Sequence, residues 1–143
     1  MRRLRDGEWI AGAGGMALLA ALFLDWYSGA SAWQAFSLLD IALALLALVP
    51  LGLVVLQATR ESPSLPVAFS VLTTLAAAIA TLLVLYRMLN QPGPNDVIDV
   101  EPGAWIGLAA ALLTAAGGWR SLRAEAVQGV RTPPIEDLPA PAP

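Results

Sequence analysis

Leu38-Leu39-Asp40-Ile41-Ala42-Leu43-Ala44-Leu45-Leu46-Ala47-Leu48-Val49-Pro50-Leu51-Gly52-Leu53-Val54-Val55-Leu56 carries one charge in 19 residues, and that charge falls in the first turn. At about 1.5 Å rise per residue such a helix reaches about 29 Å, close to the roughly 30 Å hydrocarbon thickness of a bilayer. Its apolar side chains surround the whole helix instead of lining one stripe, as expected where the outer face meets lipid.

Three further stretches read the same way, over residues 9–24, 66–89 and 102–119. The chain of 143 residues is 57% hydrophobic and only 13% charged, with a mean hydropathy of +0.67. An ordinary soluble domain carries about 25% charged residues. The expected fold class is therefore all-α, a four-helix transmembrane bundle over residues 1–123. Residues 124–143 end in a Pro-rich, aperiodic segment and are expected to be a disordered cytoplasmic tail.

Orientation follows from arginine, the only basic residue type present. Arg2, Arg3, Arg5, Arg60, Arg120, Arg123 and Arg131 fall on one side of the four stretches, and Arg87 alone falls on the other. Short loops kept in the cytoplasm hold the excess of Lys and Arg, so both the N and C termini are expected to be cytoplasmic. Asp25, Asp40, Asp96, Asp99 and Glu101 then lie outside, and the net charge of −3 divides into about −4 outside and +1 inside. Neither surface gives a reason to expect nucleic acid as a partner.

All five tryptophans and both tyrosines stand at the ends of these stretches. Trp9 and Trp119 are expected at the inner interface, and Trp26, Tyr27, Trp33, Tyr86 and Trp105 at the outer one. The first stretch also has a basic lead and an Ala30-Ser31-Ala32 triplet resembling a signal-peptidase site. Asp6, Glu8 and the bulky Asp25-Trp26-Tyr27 argue that it is retained as a span. Ser37-Leu38-Leu39-Asp40 fits a capping box, Pro66 and Pro102 suit first helical turns, and Pro50 with Gly52 should bend the second helix. Ala32-Trp33 and Ala104-Trp105 hint at two repeated hairpins.

The chemistry is defined mostly by absences. The chain has no His, Cys or Lys, which excludes a His-containing triad, a thiol nucleophile, a Schiff-base lysine and the common zinc sites. No catalytic residue, cofactor or metal ligand is expected, and the chain is not expected to be an enzyme. Two constellations remain. Gly103, Gly107, Ala111 and Ala115 recur every four residues and expose backbone for close helix packing, within the chain or against a homo-oligomer or another membrane protein. Asp25, Asp40 and Arg87 come to one membrane level from three helices and form a candidate ion-pair cluster. Ser70, Thr73, Thr74 and Thr81 could line a polar path, or bond the carbonyl one turn back in their own helix.

Leu22-Phe23-Leu24-Asp25-Trp26-Tyr27-Ser28, Ala32-Trp33-Gln34-Ala35-Phe36-Ser37 with Asp40-Ile41, Leu85-Tyr86-Arg87 and Gly117-Gly118-Trp119 together resemble uncharacterised four-span bacterial inner-membrane proteins. The likeness covers about residues 8–123. It implies a multi-pass protein of the cell inner membrane without an assigned activity. The expected role is a non-enzymatic structural or accessory subunit acting through helix contacts in the lipid bilayer. The alternative is a small oligomeric channel or transporter.

Overall fold

A computed structural model describes residues 5–35, 38–59, 64–91 and 98–129. The elements run α1 (Asp6–Ala21), β1 (Asp25–Tyr27), β2 (Ala30–Ser31), α2 (Ala32–Ala35), α3 (Leu38–Thr59), α4 (Ser64–Leu89) and α5 (Pro102–Gly129).

Each helix begins and ends for local reasons. At the start of α1, Arg5 is extended and its backbone N–H donates to Glu8 Oε2 at 2.8 Å, which satisfies one of the donors that a helix start leaves open. Asp6 and Glu8 also place negative charge at the positive end of the helix dipole. Helix α5 opens at Pro102, where a missing N–H breaks no helical bond. Pro66 falls in the first turn of α4, while Ser37 of the expected capping box lies outside the described residues. Helix α3 runs through Pro50 without interruption.

The expected first span, 9–24, is helical only to Ala21. Residues 22–24 turn, and the chain enters a hairpin that an all-α reading does not contain. Tyr27 pairs with Ala30, leaving Ser28 and Gly29 as a two-residue loop with φ of 38° and 83°. Two successive positive φ values give the turn whose twist matches an antiparallel ribbon, and Gly29 adopts its value without steric cost. Val100 bridges to Tyr27, and Glu101 N–H donates to Trp26 O at 2.8 Å. The hairpin and the lead into α5 thus cap one end of the helices.

The fold is mostly α-helical, with one single-turn helix, α2, beyond the four expected. Helix α5 continues to Gly129, past the expected span end at 119 and past 124, where a tail was expected. Residues 130–143 lie outside the described residues. Among the described residues, two helical stretches are long and apolar enough to cross a membrane, Leu38–Thr59 and Ala68–Leu89, with mean hydropathies of 2.6 and 2.3. Ala32 and Ala104 are both buried and Trp33 and Trp105 both exposed, so the two dipeptides match in setting.

The four long helices form a ring in which each packs on two neighbours, in the order α1, α3, α4, α5 and back to α1. Helices α1 and α5 make the most intimate pair. A β-carbon at Gly117 would run into the backbone of Ala11 and Gly7, and one at Gly7 would lie 2.7 Å from Ser121 N. On the other side of α1, Gly15 sits against the Pro50 ring and the Ala47 carbonyl of α3. Pro50 is therefore a packing surface for α1.

These contacts separate two glycines that composition treats alike. Gly117→Ala is expected to lower the melting temperature in detergent through about 1–3 kcal/mol of overpacking against backbone that cannot yield. Gly52→Ala, whose added carbon would rest 3.6 Å from Phe69, is expected to leave it unchanged or raise it through helix propensity. Thermal unfolding of both variants checks the pair.

Candidate functional site

The small-residue strip of α5 receives the hairpin. Gly103 lies under the Asp25 carbonyl, and a β-carbon at Gly107 would stand 2.7 Å from the Trp26 indole. Ala111 is fully buried and Ala115 half-buried. The closest helix-to-helix contact uses a neighbouring face of α5, where Ala110, Thr114, Gly117 and Ser121 meet Gly7, Ala11 and Gly14 of α1. Its signal was present in the sequence as small residues spaced three and four apart in both helices, the geometry of one helical face.

Trp26 and Tyr27 correct the expected aromatic belt. They are 0% and 2% exposed, because Gly107 leaves room for the indole and the hairpin folds both rings inward. Each ring keeps its polar atom satisfied, as buried Trp and Tyr require. Trp26 Nε1–H donates to Ala21 O and Tyr27 O–H donates to Arg87 O, both at 2.7 Å. Trp9, Trp33, Tyr86, Trp105 and Trp119 are exposed at element ends.

Around these rings stand the candidate ionic residues. Asp40, in the first turn of α3, is 1% exposed, and its Oδ1 has no hydrogen-bond partner among the described residues. Arg87, in the last turn of α4, is half-buried, and its charge acts on both Asp40 and Tyr27. Burial pushes the Tyr27 phenol above its usual range, against the opposing pull of Arg87. Asp25 is exposed at the start of β1, and its backbone is what touches Gly103. Tyr27 is tied to Arg87 through the backbone carbonyl, and Asp25 meets Gly103 through its own backbone. Asp40 at a helix start and Arg87 at a helix end also complement the helix dipoles. Of the outer acids, Asp99 is exposed, Glu101 is half-buried and Asp96 lies outside the described residues.

Beyond the expected hydroxyls of α4, the ring buries two polar side chains, Glu8 and Ser121, whose burial the sequence did not reveal. Glu8 is 1% exposed. Burial pushes its carboxyl up, against the lowering effects of the Arg5 N–H and the Arg5 charge. Ser70 and Ser121 share a hydrogen bond of 3.1 Å between α4 and α5. Thr74 and Thr81 donate to Ser70 O and Ala77 O, and Thr114 donates to Ala110 O, so these hydroxyls bond one turn back along their own helices.

Comparison with protein-family models, curated proteins and solved structures returns no match. The chain is a helix-packed protein with two helices of membrane-spanning length and apolarity.

Asp40 and Arg87 are expected to be energetically coupled. Asp40→Asn and Arg87→Gln should each lower the melting temperature, and the double variant should lose less than the sum by about 1 kcal/mol or more. A thermal double-mutant cycle measures that difference, and strict additivity would count against the coupling.

Proposed function

We propose that the chain is a multi-pass protein of the cell inner membrane, crossing it four times with both termini in the cytoplasm. In this reading it acts as a non-enzymatic structural or accessory subunit through its helix surfaces. The observation that carries the proposal is how little of the two apolar helices the rest of the chain covers. Only 28% of the apolar window of α3 and 33% of that of α4 is buried. Leu38, Leu45, Leu75 and Leu82 are more than half exposed. The core helix of a soluble protein is mostly covered, so these faces need lipid or another apolar surface. The one-sided arginines and the exposed aromatics at element ends support the same placement.

A non-enzymatic role is supported by a side-chain inventory without His, Cys or Lys and by the work its described acids already do. Glu8 caps α1, and Asp40 stands in the first turn of α3, at the positive end of its helix dipole. A small oligomeric channel or transporter is the second reading, favoured by Ser70, Thr73 and Ser121, which put hydroxyls inside the ring.

The membrane reading predicts that the chain stays in the pellet after alkaline carbonate extraction. A phosphatase fused at Asp99 should be active, and a fluorescent protein fused after Pro143 should fold and glow. Release by carbonate, or an active phosphatase at the C terminus, would contradict it. A native mass spectrum of the detergent extract would then show whether another protein or further copies of the chain accompany it.

A further inference from the structure

One outer face of α5 changes character along its length. Leu112, Ala116, Trp119 and Arg123 stand four, three and four residues apart, the spacing of a single helical face. All four are exposed, as is Arg120, while Gly117, Gly118 and Ser121 turn inward and are buried against α1 and α4. The face therefore points away from the ring. It runs from aliphatic side chains, through an indole, to two guanidinium groups.

The length of α5 sets the level of those groups. At about 1.5 Å per residue, Arg120 and Arg123 lie about 27 and 32 Å along the helix from Pro102, and a hydrocarbon core is about 30 Å thick. A helix that crosses from Pro102 thus delivers both arginines to the depth of the inner headgroups. On α1, Gly7 packs on Gly117 and Ser121, which brings Trp9 level with this part of α5, and Trp9 is 60% exposed. Two exposed indoles then mark one interface level.

The guanidinium of Arg123 lies over the Trp119 ring, 5.0 Å from its centroid. Such stacking steadies the cation and leaves its edge N–H groups open to an acceptor. Neither Arg120 nor Arg123 forms an ion pair among the described residues. Glu8 is turned inward, and Asp6 is the only exposed acid among the side chains described at this end.

We propose that Trp119, Arg120 and Arg123 hold the headgroup of one anionic phospholipid of the inner leaflet, with an acyl chain lying along Leu112 and Ala116. The planar guanidinium matches phosphate oxygens two at a time. Two positive charges without a carboxylate partner favour a headgroup of net negative charge, whereas a zwitterionic one brings an ammonium that they repel. The aliphatic side chains and indole in line with Arg123 select a lipid over free phosphate, which has no apolar part to bury. This inference rests on the membrane reading above and adds which class of lipid the inner end of α5 selects.

The test is a native mass spectrum of the full chain in mild detergent with equimolar phosphatidylglycerol and phosphatidylcholine of matched acyl chains. The wild type should retain phosphatidylglycerol about tenfold over phosphatidylcholine, in line with two arginines at one headgroup. Arg120→Gln with Arg123→Gln should bring the two lipids to near-equal retention. Arg123→Gln alone supplies the same reading, as a smaller loss of preference, should the double variant fail to accumulate. Arg60→Gln, which removes a charge between α3 and α4, should keep the wild-type preference. Equal retention by the wild type would overturn the headgroup site, as would a preference that survives the double change or falls as far in Arg60→Gln as in Arg123→Gln. Carbonate extraction decides the membrane reading separately, so a pelleted chain with no lipid preference loses the site and keeps the spans.

Discussion

The backbone contact between α1 and α5 is the constraint on which the rest of the structure depends. At Gly7, Gly14 and Gly117 there is no room for a β-carbon, and the obstructing atoms include backbone of the facing helix. Two helices that close have few other ways to sit, because backbone cannot rotate aside as a side chain can. With α1 fixed on α5, its other face presents Gly12 and Gly15 to α3, where Val54, Pro50 and Ala47 fill the space. Helix α4 closes the ring against α3 and α5. In the membrane reading proposed above, apolar burial offers little drive between helices, so close dispersion contact and buried hydrogen bonds would hold them.

The two ends of the ring solve different problems. At the hairpin end, Trp26 and Tyr27 fill the interior, and their polar atoms tie α1 and α4 to the cap through Ala21 and Arg87 carbonyls. Arg87 sits in the last turn of α4, where its charge complements the C-terminal dipole of that helix. At the other end the interior is more polar, with Glu8 and the Ser70–Ser121 bond between helices. One end is sealed by aromatic bulk, and the other is held by oxygen atoms.

Much of this was legible in the amino-acid sequence, and the rest was hidden for identifiable reasons. The apolar runs locate α3 and α4 closely, since helices with no polar side for many turns leave few alternatives, and Pro102 marks the start of α5. The hydroxyls of Thr74 and Thr81 also bond where the helix itself offers an acceptor. Trp26 reads as an interfacial aromatic because its burial is decided by Gly107 on a distant helix, which no local pattern reveals. The hairpin is concealed by its length, as three- and two-residue strands are too short to show alternation. Glu8 reads as an interruption in a basic lead, and its burial appears only once α5 and α3 are packed beside it. The packing face of α5 is ambiguous because small residues line two adjacent faces, one spaced every four residues and one spaced three and four apart, and only the positions on α1 choose between them.

The central claim is that α1 and α5 pack against each other within one chain in a bilayer. Its most direct test is a pulsed electron-spin distance between nitroxides at Ala13→Cys and Ala116→Cys, positions exposed on the outer faces of the two helices in a chain that has no cysteine of its own. Helices in contact lie about 8–10 Å apart, so with the label arms a narrow distribution at roughly 15–30 Å is expected. That distribution should survive dilution of labelled chains with unlabelled ones in liposomes. A distance that vanishes on dilution would place the contact between chains, and a broad distribution centred well beyond that range would show that the helices do not pack.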